Sequence, residues 1–415
     1  MCIRDSNKTS YSYNPVGWLT KIDYADPKWT DKVISYAMVT SAGDGISGSN
    51  VAVGSLRQTI SHGNYEKRIY HDGLLRPIFI REGDTVNAST IRYQTMAYDH
   101  DNRQTLSSFP SSDAGNRLGM ETEYDALGRI ISQTRTSDGS VSRREYLSGN
   151  KVAVTDGENN TTTTTYLAYG EPAYDKPTLI EAPDTDDIAI DYNVFEQITR
   201  IRQGSVVETR IYDAYQQLCK QIRPETGISA FGYNGQRQQI WRAEGTVGST
   251  LDCDAAAIPA THKTLLAYDN LGQLRTENFP DSTPDKTYSY DANGNLATLL
   301  AGTANWSYLY NSLNTIEKET LAIDGKQFVL DWEYDHLGGL SSLTYPSGAV
   351  INYAPNALGQ ATKAASYATG VSYHPNGQIK RFTYGNGIVR DVALDTTGRI
   401  DALTAVSYTH LRAHA

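Results

Sequence analysis

The sequence predicts an all-β protein made of β-hairpins of about 20 residues each, joined into a long, spiralling antiparallel sheet that forms part of a hollow shell. Three observations predict this fold: a Tyr-Asp-x-x-Gly motif recurs along the 415 residues, β-rich segments lie between the motifs, and 29 tyrosines stand against 7 phenylalanines. A motif that returns about every twenty residues indicates one small supersecondary unit repeated many times.

The repeat is clearest in three copies. Residues 124–130 read Tyr-Asp-Ala-Leu-Gly-Arg-Ile, and the pattern returns at residues 268–274 and 334–340. Weaker copies begin at Tyr192, Tyr212, Tyr290, Tyr310 and Tyr373. The copies are regular enough to predict one local structure for all of them.

Each copy predicts a hairpin turn between two strands. Residues 129–136 and 377–384 alternate in the manner of strands. The Asp accepts backbone N–H groups in the turn, and the Gly supplies a positive φ. The tyrosine before the turn and the Leu or Ile after its glycine are expected to form a cross-strand pair. The predicted structural residues are Tyr124, Asp125, Gly128, Ile130, Tyr212, Asp213, Tyr268, Asp269, Gly272, Leu274, Tyr290, Asp291, Gly294, Leu296, Tyr334, Asp335, Gly338, Leu340, Tyr373, Gly377 and Ile379.

The number of repeats predicts the curvature of the sheet. About fourteen units would give roughly 25 to 28 strands, and open twisted sheets rarely exceed ~10 strands without curling, splitting or flattening. We therefore expect a wall around a space. Tyrosine suits such a wall because its ring can be buried while its hydroxyl stays at a wet surface.

The repeat assigns residues 7–404 to one β-shell segment with irregular insertions near residues 20–66 and 147–191. Residues 1–6 and 405–415 lack repeat character and resemble translated cloning or sequencing-adapter sequence, so we expect both to be non-native. The protein is accordingly expected to be an internal fragment.

Composition disfavours several classes of partner. A net charge of −10 and a pI near 5.3 give no general attraction to phosphate backbones, so no nucleic-acid partner is expected. No apolar run approaches the ~18 residues of a membrane span, and residues 1–6 contain no signal-peptide core. Any export signal is therefore expected outside this chain. Cys219 and Cys253 could pair if the fold joins them, but the preferred interpretation is two small buried hydrophobic side chains.

Motifs that carry chemistry are weak. Residues 43–48 match Gly-x-Gly-x-x-Gly, but residues 49–54 form helix poorly, so we expect a flexible surface loop rather than a dinucleotide site. The acidic clusters at 99–102 and 184–187 do not fit a calcium loop and are interpreted as solvated loops. His410 and His414 lie in the suspected non-native tail. The sequence therefore predicts no catalytic residue, cofactor or metal.

The run at residues 124–130 resembles the YD repeat of the Rhs family, which includes bacterial Rhs polymorphic toxins, the B and C components of insecticidal Tc toxins, and animal teneurins. The resemblance extends from Tyr13 to Leu403. It implies a β-shell that, in bacterial members, encloses a toxic C-terminal domain, which is released by aspartyl-type self-cleavage in a core segment that carries Asp-Pro-x-Gly motifs. Here Asp26-Pro27 is followed by Lys28-Trp29, so the cleavage site and the toxic domain are expected to be missing.

The resemblance implies a structural, non-enzymatic shell segment of a secreted or cell-surface bacterial toxin. Its partners would be the C-terminal toxin cargo and the remaining shell repeats. A surface adhesion or carbohydrate-binding module is the alternative, because exposed tyrosines and tryptophans stack on sugar rings. An enzyme hidden in one of the two insertions is a third. The tryptophan candidates are Trp18, Trp29, Trp241, Trp306 and Trp332.

Overall fold

The computed structural model describes residues 8–246 and 252–407. The described residues form 33 strands, of which β1–β29 belong to one antiparallel sheet and β30–β33 to a second, four-stranded sheet. The predicted all-β class and the long antiparallel sheet of hairpins are confirmed. The strands outnumber the expected 25 to 28 because the two supposed insertions also contribute strands.

The chain divides into two compact units. Unit 1 comprises residues 1–141, 308–320 and 328–415, and unit 2 comprises residues 142–307 and 321–327. The first ten strands lie in unit 1: β1 Thr9–Tyr13, β2 Leu19–Tyr24, β3 Lys32–Met38, β4 Leu56–His62, β5 Tyr65–His71, β6 Pro77–Asp84, β7 Arg92–Tyr98, β8 Gln104–Ser108, β9 Gly119–Tyr124 and β10 Ile130–Arg135. Its last six are β28 Leu340–Thr344, β29 Val350–Asn352, β30 Ala368–Tyr373, β31 Ile379–Tyr384, β32 Ile388–Leu394 and β33 Ile400–Ser407.

Unit 2 continues the same pattern of hairpins. Its strands are β12 Lys151–Thr155, β13 Thr161–Tyr166, β14 Pro177–Glu181, β15 Ile188–Tyr192, β16 Ile198–Gln203, β17 Val206–Tyr212, β18 Leu218–Arg223, β19 Gly227–Tyr233, β20 Gln239–Thr246, β21 Thr264–Tyr268, β22 Leu274–Asn278, β23 Lys286–Tyr290 and β24 Leu296–Ala301. Four strands have residues in both units: β11 Ser140–Leu147, β25 Ala304–Tyr310, β26 Ile316–Ile323 and β27 Lys326–Tyr334. Short 3-10 turns lie at Ala42–Gly45, Ala88–Thr90, Ala255–Ala257 and Ala260–His262.

The two stretches outside the clear repeat are part of the sheet. Strands β2, β3 and β4 lie within residues 20–66 or overlap them, and β3 pairs with β4 from Val33 to Met38. Strands β12 to β14 lie within residues 147–191, and β15 begins there. The sequence there has the alternating pattern of strands but lacks the Tyr-Asp-x-x-Gly motif. The strands could therefore be recognised, whereas the positions of the turns could not.

The glycine-rich loop at residues 43–48 is fixed to unit 1, contrary to the flexible loop that we expected. Its Asp44 carboxylate accepts hydrogen bonds from Arg57 Nη1 at 2.6 Å and from Tyr70 Oη at 2.8 Å. Val39 and Val51, on either side of the loop, are buried. The ion pair and the apolar anchors together hold the loop against the sheet.

Each unit contains a small cluster of buried apolar side chains. In unit 1, Tyr70 and Phe79 are completely buried and pack with Val39, Val51 and Ala114. In unit 2, Ile258 packs with Ala230 and Ala243, and Trp241 lies against them. Most other strand side chains are only half-buried. A single sheet layer leaves both faces partly open to solvent, which accounts for the preference for tyrosine.

Unit 1 also brings together segments that are remote in sequence. Trp29 Nε1 donates to Ser312 Oγ at 2.6 Å, and the backbone N–H of Thr30 donates to the carbonyl of His336 at 2.9 Å. The Ala357 N–H lies 3.4 Å from Asp84 Oδ2. Repeat turns from the second half of the chain therefore contact the first hairpins of the sheet.

Cys219 and Cys253 form a disulfide, so the preferred interpretation of two unpaired buried thiols was wrong. Their Cα atoms are 5.5 Å apart although the residues are separated by 34 positions. Cys219 lies in β18, and the loop after β20 brings Cys253 back to it. The spacing of the two cysteines in the sequence does not indicate that the loop brings them together.

The predicted boundary at residue 404 falls inside a strand. Strand β33 continues to Ser407 and pairs with β32 throughout, with Ala405 opposite Arg390. Residues 1–6 and residues 408–415 lie outside the described part of the chain. The proposed non-native origin of both ends stays a prediction.

Candidate functional site, a ladder of repeat turns

The repeat turns share one hydrogen-bonding scheme, which residues 124–130 illustrate. The Asp125 N–H donates to the Arg129 carbonyl at 2.9 Å, and the Gly128 N–H donates to the Asp125 carbonyl at 3.0 Å. Asp125 Oδ1 accepts the N–H groups of Leu127 and Arg129, both at 2.9 Å. One carboxylate thus satisfies two turn donors while the glycine adopts a φ of 79°. The side chain and the backbone together fix the reversal.

The same scheme recurs wherever an Asp or Asn follows the first position of a repeat. Asp213, Asp269, Asp291 and Asp335 each accept two backbone N–H groups at 2.8 to 2.9 Å. The copy at Tyr373 differs, because His374 replaces the Asp and its Nε2 lies 2.8 Å from the Val392 carbonyl. Its turn keeps both backbone bonds. The backbone scheme therefore tolerates loss of the carboxylate.

The register of the hairpins places each predicted tyrosine opposite its predicted aliphatic partner. The register shifts by one residue beside this pair in each hairpin, as a β-bulge does. The opposed residues are Tyr124 and Ile130, Tyr212 and Leu218, Tyr268 and Leu274, Tyr290 and Leu296, Tyr334 and Leu340, and Tyr373 and Ile379.

The tyrosine hydroxyls link each hairpin to the one before it. Tyr290 Oη donates to the Leu274 carbonyl at 2.9 Å, and Leu274 begins the second strand of the preceding hairpin. The same kind of bond joins Tyr98 to Pro77, Tyr124 to Gln104, Tyr192 to Pro177, Tyr212 to Ile198, Tyr233 to Leu218, Tyr268 to Gln239, Tyr334 to Ile316 and Tyr373 to Ala361. The repeat tyrosine therefore connects neighbouring units as well as pairing within its own hairpin.

A second set of bonds runs in the opposite direction, and the sequence reasoning missed it. The Arg or Gln after the positive-φ position of the turn, which is held by glycine or by another residue, donates to a backbone carbonyl in the next turn along the chain. Arg103 Nη1, for example, reaches the Asp125 carbonyl at 3.1 Å, and its guanidinium lies 5.1 Å from the Tyr124 ring centre. Equivalent bonds join Arg76 to Asp99, Gln197 to Gln216, Gln238 to Gly272, Gln273 to Gly294 and Gln378 to Gly398. The sequence does contain a signal for these bonds, because a long hydrogen-bond donor, Arg or Gln, recurs at this one position of the repeat.

In two of these turns, those of Asp125 and Asp291, the pKa of the carboxyl is lowered because the turn stabilises its charge. The backbone N–H of Arg129 is the main cause that lowers the pKa of the Asp125 carboxyl below its usual value. Burial alone would raise the pKa of Asp291, but hydrogen bonds from Asn295 outweigh it and lower that pKa. A lowered carboxyl pKa stabilises the fold near neutrality, and this contribution is lost as the pH falls through the lowered pKa. These groups act as turn formers.

Replacing Gly128 with valine should lower the free energy of unfolding by about 1–3 kcal/mol, because a β-branched residue is strained at positive φ. The space itself is open, since the nearest atoms to an added Cβ belong to the Arg103 side chain at 3.7 Å or more. Chemical denaturation measures the loss. Gly73→Val is the matched control, because Gly73 lies in a repeat turn without a positive φ and with no atom within 4 Å of an added Cβ. Equal losses in both variants would contradict the turn assignment.

Arg237→Gly should have the opposite effect and raise the free energy of unfolding by about 0.5–1 kcal/mol. Arg237 occupies the turn-glycine position of its repeat with a φ of 64°, and its side chain is exposed. Its N–H bond to the Asn234 carbonyl would survive the change. Gln236→Gly, one residue earlier at negative φ, should instead destabilise. A lower thermal midpoint for Arg237→Gly would overturn the prediction.

Within residues 8–246 and 252–407, no three His, Cys, Asp or Glu side chains come together as metal ligands would. In the same residues, no helix has the length and hydrophobicity to cross a membrane.

Comparison with known proteins identifies the fold. No protein-family model and no curated protein sequence matches this chain. It is similar to the solved structure of TcdB2-TccC3 without its hypervariable C-terminal region, at a TM-score of 0.65 and 12% identity over 91% of this chain. It is also similar to a Photorhabdus luminescens Tc holotoxin pore, at 0.66 and 11% over 92%. TcdB2-TccC3-Cdc42 gives 0.64 and 12% over 92%.

These solved structures share the fold of this chain, so the fold implied by the resemblance to the YD-repeat family is confirmed. The chain spans 22% of the length of each of the three solved chains.

Proposed function

We propose that this chain is a structural, non-enzymatic segment of the shell of a bacterial Rhs-type toxin, and that the shell encloses a C-terminal toxic domain. The observation that carries the proposal is the pair of hydrogen-bond ladders. Each repeat tyrosine bonds backwards, as Tyr290 does to Leu274, and each long donor bonds forwards, as Gln273 does to Gly294. Interlocked neighbours make a continuous wall.

The chemistry of the repeat supports a wall rather than an active site. Turn carboxylates such as Asp269 are engaged by backbone N–H groups, and the same arrangement recurs from copy to copy. An active site requires a particular set of side chains at one location, whereas the repeat distributes equivalent turn carboxylates along the chain. The similarity in fold to the solved TcdB2-TccC3 and Tc holotoxin structures supports the same conclusion.

The disulfide between Cys219 and Cys253 supports a secreted or cell-surface location. Structural disulfides form and persist in oxidising environments and are rare in the reducing cytosol. The partners in this proposal are a toxin cargo and further shell repeats of the parent protein.

The first test is to sequence the source locus on both sides of the region that encodes this chain. Further Tyr-Asp-x-x-Gly repeats, followed by an Asp-Pro-x-Gly core and a variable C-terminal domain, would support the shell. Repeats that lead to a wall anchor or a membrane span would overturn it in favour of an adhesin.

A protease-protection experiment on the parent protein then tests enclosure. Gly119→Ala should open the wall, because an added Cβ would overlap the Ser107 carbonyl and the Ser108 Cα in the adjacent strand. The cargo should then become sensitive to protease, whereas Gly73→Ala, with no atom within 4 Å of its added Cβ, should leave it protected. A cargo that is equally sensitive in the unmodified protein would contradict enclosure.

The carbohydrate-binding alternative has less support. The repeat tyrosines that would have to form an exposed row are half-buried, and their hydroxyls bond to the preceding hairpin. A glycan array separates the two functions. Saturable binding that is lost when exposed Tyr215 or Tyr367 is replaced by alanine would favour the adhesion module.

A further inference from the structure

Unit 1 contains a cavity of about 690 Å³ between the first hairpins and two later repeat turns. One wall is a single face of strands β2 to β6, with Ile22, Ile34 and Ile60 as its apolar floor. The opposite wall is formed by the turns around Leu337 and Leu358. The volume suits a small organic molecule, since ligand pockets typically measure about 300–1,000 Å³.

The register of the strands accounts for the composition of the floor. Ile34 lies directly opposite Ile60, so the two side chains share one face and pack side by side. Ile34 is only 6% exposed. Lys67 lies opposite Ile60 on the next strand, which sets an ammonium group beside the apolar surface.

Two lysines of the cavity form no close ion pair, although Lys67 lies opposite Glu82 in the register of β5 and β6. Among the ion pairs of the described residues, none includes Lys32 or Lys67, although both side chains are half-buried. They stand on β3 and β5, which are separated by β4 and therefore by about 10 Å. Lysine stems are long and flexible, so both ammonium groups can approach one ligand from two sides.

The carboxylates of the cavity are already engaged. Glu82 accepts Tyr65 Oη and is paired with Arg92 at 2.6 Å. Asp335 Oδ1 accepts the N–H groups of Leu337 and Gly339 at 2.9 and 2.8 Å. Three cationic side chains, Lys32, Lys67 and Arg92, face two carboxylates, so the cavity has a positive balance of charge in a protein whose net charge is −10.

We propose that this cavity binds a small organic anion with an apolar body, such as a medium-chain carboxylate. Lys32 and Lys67 hold the carboxylate, and the hydrocarbon lies on the floor of Ile22, Ile34 and Ile60. The ammonium groups can bind the carboxylate of such a molecule, and the apolar surface beside them can pack against its hydrocarbon. A cationic ligand would meet Lys32 and Lys67 as like charges.

Isothermal titration calorimetry of the intact chain with sodium decanoate tests the proposal, with decylammonium chloride and sodium acetate as comparisons. We expect saturable binding of one decanoate per chain. Decylammonium and acetate should each bind at least about tenfold more weakly, which corresponds to about 1.4 kcal/mol, because each lacks one half of the ligand. Absent decanoate binding, or equal binding of decylammonium, would overturn the proposal.

The double variant Lys32→Met/Lys67→Met tests the residues, because methionine keeps a long unbranched side chain and removes the charge. It should bind decanoate about tenfold more weakly or worse. Lys326→Met/Lys380→Met is the control, since it makes the same charge change at two exposed lysines outside the cavity. Lys32→Gln/Lys67→Gln repeats the test with a polar replacement, and circular dichroism checks that each variant is folded. Undiminished binding in both cavity variants would refute the assignment.

Discussion

Replacing Phe79 with alanine is expected to lower the free energy of unfolding by about 3–5 kcal/mol. Phe79 is completely buried, and its ring centre lies 5.9 Å from that of Tyr70 and 5.8 Å from that of Tyr93. Removing the ring leaves a cavity in the cluster that also contains Val39 and Val51. Urea denaturation followed by far-UV circular dichroism measures the loss.

Phe328→Ala is the matched control for this variant. Phe328 lies in β27 and is 43% exposed, so the same truncation removes far fewer contacts. Its cost should be below about 1 kcal/mol. If both phenylalanines proved equally important, stability would be spread evenly over the sheet, and the buried cluster would have no special role.

The hairpins could be predicted because the repeat specifies them locally. Tyr268, Asp269 and Gly272 specify a turn through bonds that span only four residues, so one copy of the motif contains everything the turn needs. Alternation then sets which side chains share a face. Local rules of this kind transfer from copy to copy.

The contacts between copies were harder to predict. The forward bonds of Arg103 and Gln273 depend on the distance between successive turns, which the sequence does not state. The contact of Trp29 with Ser312 joins residues 283 positions apart, so nothing local encodes it. A repeat pattern gives nearest neighbours. It does not indicate which later repeats contact the first hairpins of the chain.

The buried cluster of unit 1 was hidden for a related reason. Val39 and Val51 lie in a stretch without the repeat motif, and the glycines between them resemble a mobile connector. Their burial depends on Tyr70 and Phe79, which belong to two later strands. The same stretch also supplies the floor of the cavity, so the least repetitive part of the chain carries its most individual features.

Removing the disulfide by Cys219→Ser/Cys253→Ser should lower the free energy of unfolding by about 4 kcal/mol. Cross-linking residues 34 positions apart restricts the unfolded chain by roughly that amount. The bond also fixes the loop that carries Ile258 onto Ala230 and Ala243. Chemical denaturation of the oxidised protein and of the double variant measures the difference.

Reduction separates the cross-link from the side effects of mutation. Dithiothreitol should lower the denaturation midpoint of the unmodified protein to that of the double variant and should leave the double variant unchanged. The loop also brings Asp252 to 4.0 Å from Lys220, whose side chain is only 3% exposed. Salt screens buried charges only weakly. Adding salt should therefore not lower the denaturation midpoint as reduction does. An unchanged midpoint on reduction would mean that β19, β20 and Ile258 hold the loop without the bond. The disulfide would then no longer support an oxidising location, because a cytosolic protein could do without it.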